Sequence, residues 1–241
     1  MILSRLSQAL RTQNWLAVAL EFAIVVLGVY LAFQLATWSE ARQQDAEATR
    51  LQEQLEIEVS AAVDEIESWI AYRTEAVSEL HDAILTIQSN DPERGLSEQE
   101  CEAIWGSHIV IWNDVRLVTL DEIIATGRLS ILPDTRLRRA LLEYRNENSI
   151  GNSRRAFIAA DLSNVVDTFA EEMPRFIEPG PTESSWLSAN RVDCQLQPIR
   201  ENATLRNRLI SNLGRTRGMI GLAEQELEHL RVIQRLLATE D

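Results

Sequence analysis

The apolar and polar positions divide this chain into one long lipophilic run followed by amphipathic stretches. Trp15 to Trp38 is almost wholly apolar, with a single acidic residue, Glu21. At 1.5 Å per residue such a helix reaches about 35 Å, enough to cross a hydrocarbon layer of about 30 Å. Trp15 and Trp38 fall where interfacial aromatic residues belong. Twelve Leu, Ile, Val and Phe side chains in the run contribute roughly -4 to -7 kcal/mol to insertion, against roughly +3 for a central charge. Insertion therefore wins despite Glu21. A cleaved signal peptide would have a shorter apolar core and a small-x-small site after it. The run predicts an uncleaved transmembrane helix over 15–38.

Beyond the run, Leu51, Leu55, Val59, Ala62, Ile66, Ile70, Val77, Leu80, Ile84 and Ile87 recur every three or four residues, with a gap at Arg73. That spacing predicts an amphipathic, coiled-coil-like helix of about fifty residues continuing the membrane helix. "DPERG" (91–95) stops it. Ser97 and Glu100 form a capping box with Leu96 as staple, so a second helix starts there. "HIVIW" (108–112) fits either a helix or an extended piece. A short helix over 118–126 ends at Gly127. Asp134 caps a helix bearing Leu137, Leu141 and Tyr144, predicted to run to Met173, with "NENSIGNS" (146–153) as a weak point. Residues 174–200 hold four prolines and read as a loop. A last helix covers 202–238. No amphipathic strand series appears. The fold class is all-α: one N-terminal transmembrane helix continuing into a long helix of an extramembrane helical bundle.

Orientation follows from the flanks. Arg5 and Arg11 precede the span and Arg42 and Arg50 follow it, a near tie under the positive-inside rule. The short N-terminal side with its free amine is assigned to the cytoplasm. Leu3, Leu6 and Leu10 share a helical face, so 1–14 is read as a short amphipathic segment along the inner headgroups. Residues 39–241 then form an extracytoplasmic helical domain. There Cys101 and Cys194 can form a disulfide, the alternative being two separately buried thiols.

Within the span, Ala17, Glu21, Ile24, Gly28, Ala32 and Leu35 share one face. Gly28 and Ala32 make a small-xxx-small pair that admits a second helix closely. Two readings of Glu21 stand: a protonated carboxyl in a helix–helix contact, or a side chain reaching to the near headgroups. On the first, Glu21, Gly28 and Ala32 form a contact face for another transmembrane protein or a second copy of this chain.

Composition narrows the remaining chemistry. The 241 residues carry a net charge of -14, which repels nucleic acid. All 23 basic residues are arginine, so no P-loop, Schiff-base or general-base lysine exists. The two cysteines lack the CxxC spacing of a zinc or thioredoxin-like site. Glu226 and His229 form one Glu-x-x-His, whereas a di-iron bundle needs two such pairs and two further carboxylates. They are read as a solvated Glu–His face. The three histidines pair with no nucleophile, and "GRLSIL" (127–132) lacks the G-x-S-x-G elbow. Arg136, Arg138 and Arg139, and the pair Arg154 and Arg155, suit an anion or an acidic partner, or pair with nearby carboxylates. No catalytic, metal or cofactor site is expected.

Two stretches carry a resemblance. Glu21, the aliphatic run, Gly28, Gln34 and Trp38 form the first. "LDEIIATGRLSILPDTRLRRALLEYRNE" (120–147) forms the second, through Ile123, Gly127, Leu129, Ile131, Leu137, Arg138, Leu141 and Tyr144. Together they resemble a large bacterial family of uncharacterised single-span membrane proteins, a domain-of-unknown-function family. The chain departs from the pattern at Leu120, where an aromatic is expected, and at Pro133. The resemblance covers about a third of the chain and implies topology, not activity. The functional expectation is a membrane-anchored, non-enzymatic interaction or scaffold protein, an accessory subunit or modulator of a membrane complex, in the bacterial inner membrane with its large domain periplasmic. The alternative is a periplasmic ligand-binding or sensory helical bundle.

Overall fold

The structure, a computed structural model, describes residues 15–89, 91, 93–112, 114–177 and 190–239. The amphipathic segment read at 1–14 lies outside them. The elements are α1 (Trp15–Gln88), α2 (Glu98–Gly106), α3 (Val118–Ala125), a 3-10 turn (Leu129–Ile131), α4 (Thr135–Ala160), α5 (Val165–Thr168), β1 (Arg175–Ile177), β2 (Asn190–Val192), α6 (Leu196–Glu201) and α7 (Ala203–Leu237). The fold is all-α apart from the two three-residue strands. Two compact units divide the chain, Met1–Gln52 and Glu53–Asp241, with the boundary inside α1.

In the first unit, the apolar part of α1 is long and apolar enough to cross a membrane, and none of its most apolar window is buried. Val18 through Trp38 present their large side chains outward. Near the end of the run the Arg42 guanidinium lies 4.6 Å from the Trp38 ring centroid, a cation–aromatic contact.

The second unit has a conventional core. Leu55, Val59, Ile66, Leu80 and Ala83 of α1 are buried, as are Leu205, Leu209, Leu230 and Ile233 of α7. Helix α4 packs along α7; Arg155 near its end and Asp161 just after it pair with Glu226 and Arg215 of α7.

Helix ends show how the sequence fixes the path. Ser97 and Glu100 form the expected capping box on α2. Glu100 also accepts from the Thr86 hydroxyl at 2.8 Å, tying α2 to α1. Burial pushes this carboxyl up, but the Ser97 amide, the Thr86 hydroxyl and Arg94 together hold it below the usual range. The carbonyls closing α1 at Thr86 and Ile87 accept from Arg200 of α6 at 3.1 and 3.3 Å, a cation at a helix C-terminus. Helix α3 has no side-chain cap of its own; Glu58 of α1 reaches across and accepts from the Thr119 amide and hydroxyl. Gly127, at φ 68°, ends α3. Its amide donates to Ile124 O and that of Arg128 to Ile123 O, the paired bonds of a Schellman motif.

Two sequence expectations are corrected, and the choice left open at 108–112 goes against a helix. Helix α4 passes unbroken through 146–153 and ends at Ala160, not at Met173. Its weak helix formers are held in place: Asn148 Nδ2 donates to Tyr144 Oη and Val115 O, each at 3.0 Å, and Asn152 Nδ2 to Asn148 Oδ1 at 2.7 Å. It ends where Asn212 of α7 captures both backbone groups of Ser163, accepting at 2.9 Å and donating at 2.8 Å. The proline-rich stretch 174–200 is not all loop: β1 and β2 pair antiparallel, Arg175 opposite Val192, and α6 follows. Residues 108–112 take neither helix nor strand, and Ile111 O accepts from Trp69 Nε1 at 2.7 Å.

Candidate functional site

The residues singled out in the anchor lie on one helical face, since Glu21, Gly28 and Ala32 are seven and four residues apart on α1. All three are exposed. A Cβ at Gly28 would meet nothing within 4 Å, so no contact among the described residues uses the space that this glycine leaves. The opening is a place where a second backbone can approach.

Cys101 of α2 and Cys194, just before α6, are bonded to each other, with Cα atoms 5.8 Å apart. The bond ties α2 to the segment that follows β2, across a separation of 93 residues.

The most concentrated chemistry lies between α4 and α7, around a pair that periodicity alone did not bring together. Arg155 and Glu226 form an ion pair whose side chains are each 4% exposed. Glu226 is therefore buried, which corrects the reading of Glu226 and His229 as a solvated face. The Arg155 guanidinium also donates to Asn152 Oδ1 at 2.7 Å and to Leu222 O at 3.3 Å. It lies 3.9 Å over the Trp112 ring, whose edge meets Trp69 of α1 at 4.7 Å. On the other side, Tyr144 Oη lies 3.4 Å from Glu226 Oε1. Asn152 Nδ2 reaches Asp114 Oδ1 at 2.6 Å. One ion pair thus joins α4, α7, the 111–115 segment and, through the edge-on contact of Trp112 with Trp69, α1.

Burial pushes the Glu226 carboxyl up, against the pull of Arg155. Burial likewise pushes the Tyr144 phenol up, and the Glu226 charge adds to it. Burial thus opposes the charge of Glu226, and the Arg155 guanidinium opposes that effect. A cavity of about 110 Å³ adjoins the pair, bordered by Tyr144, Gln225 and His229 among others. That is small against the ~300–1,000 Å³ of drug-sized ligand sites. No nucleophile–base pair borders it, and no group of three or more potential metal ligands occurs among the described residues.

The remaining arginines divide. Arg136 pairs with Asp134 at 2.9 Å, and Arg138 donates to the carbonyls of Leu132 and Pro133. Arg139 and Arg154 are exposed and meet no carboxylate among the described residues. The buried pair did have a signal in the sequence. Leu137, Leu141, Tyr144, Asn148, Gly151 and Arg155 recur at four and three, as do Met219, Ala223, Glu226 and Leu230. Both charges therefore fall on core faces.

No protein-family model, curated protein or solved structure matches the chain.

Proposed function

We propose that the chain is a membrane-anchored, non-enzymatic interaction protein, an accessory subunit or modulator of a membrane complex. The observation that carries this reading is the fully exposed apolar run of α1 with its open face at Glu21, Gly28 and Ala32. An apolar surface of that size is accounted for by lipid or by another helix. Hydrocarbon gives helices no hydrophobic reason to associate, so close backbone packing and a shared polar contact supply the attraction. The family resemblance and the disulfide support the compartment: the bacterial inner membrane, with residues 39–241 on the periplasmic side, where disulfides persist.

Two experiments test this. Copurification from native membranes is expected to recover a partner or a second copy. Gly28→Leu should reduce that recovery most, by blocking approach. Glu21→Gln should be milder because it keeps a hydrogen-bonding group, and Leu27→Ala, on another face, should be silent. Equal recovery with all three variants would leave the face as a lipid contact. For orientation, a C-terminal alkaline phosphatase fusion is expected to be active and the matching cytoplasmic reporter silent; the opposite pattern would reverse the topology.

A further inference from the structure

Helix α4 buries Leu137, Leu141 and Tyr144 but turns Leu142, Ile150 and Phe157 outward, 46%, 36% and 76% exposed. Next to Phe157, α4 and α7 leave an open groove of about 610 Å³, with Ile150, Phe157, Ile158, Gly218 and Leu222 in its walls. A Cβ at Gly218 would meet only the tip of Ile158, at 3.8 Å. The α7 backbone is therefore open to close approach. Arg154 is the one charged side chain lining the groove, and it meets no carboxylate among the described residues. In a chain of net charge -14, an apolar trough edged by an uncompensated cation is a local reversal of the surface character.

We propose that this groove docks an amphipathic helix of a partner protein, one that presents an aliphatic stripe edged by carboxylates. The proposal rests on the reading of the chain as an interaction protein and names a second contact of that protein, outside the anchor. The shape argues for a helix. The lining residues of α4 span 149–158, about 14 Å of helix, or two to three turns. A third helix laid between two antiparallel ones buries its i, i+3, i+4, i+7 side chains in the trough. The charge argues for an acidic one. Arg154 sits at the rim, where an opposite charge directs choice of partner and rate of encounter more than affinity. Phe157 supplies the anchor, a large aromatic side chain that is 76% exposed and that a docked helix would take out of water.

The test uses the full-length chain in phosphatidylcholine nanodiscs, with empty nanodiscs as the baseline. The probes are two 18-residue helical peptides with the same leucine stripe, one flanked by glutamate and the other by lysine. The glutamate peptide is expected to bind above baseline and the lysine peptide less tightly. Phe157→Ser is expected to weaken the glutamate peptide about thirtyfold or more, with helical content unchanged because the side chain is exposed. Arg154→Glu is expected to shift the preference toward the lysine peptide, by about three- to fivefold. Binding no better than baseline, or a preference that ignores Arg154→Glu, would overturn the proposal. So would a dimer of the full-length chain that Phe157→Ser dissolves, since a second copy would then fill the groove. Retention of a Gly28-dependent partner alongside any of these results would retire the groove and leave the anchored interaction protein standing.

Discussion

Arg155→Met is expected to destabilise the protein by about 3–5 kcal/mol near neutral pH, because it leaves Glu226 buried without its cation. The loss should depend on pH. Burial already pushes the Glu226 carboxyl up in the intact protein, and removing Arg155 takes away the pull that opposes it. A group whose folded pKa is raised contributes stability below its unfolded value, about 4.3 for a glutamate, and loses it as pH rises through the folded value. The variant's deficit should therefore shrink as pH falls from neutral through the folded value and level off below about 4, where Glu226 is mostly protonated in both states. Part of the deficit should persist, since the stack on Trp112 and the bond to Asn152 do not depend on that proton. The double change Arg155→Met and Glu226→Leu should recover most of the loss at every pH, as replacing a whole buried pair with apolar groups commonly does. Urea unfolding of the full chain in detergent, followed by circular dichroism at two pH values, reads all of this. A deficit of the same size at both pH values would show that Glu226 is not the group left stranded.

The position of that pair shows where sequence reading succeeds and where it stops. Helices α1, α2, α3 and α7 follow from spacing, from the Ser97–Glu100 box and from Gly127, because their signals lie within a few residues of each other. Arg155 and Glu226 have equally local signals, since each falls in step with an apolar series. Glu226 reads as solvated because a lone charge mostly is, and Arg155 reads as pairing with some nearby carboxylate; the sequence does not name the partner, and what makes these two buried is each other, 71 residues apart. The end of α4 is a different case. Val165, Val166 and Met173 continue an apolar pattern and are indeed buried, yet the helix stops at Ala160. The cause is Asn212, 49 residues from Ser163, which takes the backbone groups that a continuing helix would have used. The one local sign is Asn164, which accepts from the Asp167 amide and caps α5, a start signal inside the apolar pattern. The groove at Phe157 is intermediate. Its apolar residues are visible in the sequence, but their outward direction is set by which face of α4 meets α7.

Reduction of the Cys101–Cys194 bond is expected to cost about 4–5 kcal/mol, the chain-entropy value for a closed loop of this length, with a separation of 93 residues. For a chain of this size that corresponds to a fall in Tm of about 10–15 °C. The bond lies where it should matter. Within its loop fall α3, α4, α5 and both strands, while α7, the principal partner of α4, begins just beyond it. Opening the loop frees the unfolded chain to separate those segments, so the effect acts through the unfolded state as much as the folded one. Folded-state contacts near the bond should change little, since Ile104, Met173 and Ile199 around it are buried in one apolar cluster. The expected result is a large loss of stability with helical content preserved, seen as parallel unfolding curves displaced to lower temperature for Cys101→Ser, for Cys194→Ser and for reduced wild type. Equal Tm values for oxidised and reduced protein would mean that the apolar cluster alone holds α2 to the segment before α6. Trapping thiols with a maleimide–polyethylene glycol in intact cells gives the companion result. No mass shift is expected unless reductant is added first, because the proposed compartment is oxidising. Two labelled thiols without reductant would remove the bond and, with it, one of the two supports for placing residues 39–241 outside the cytoplasm.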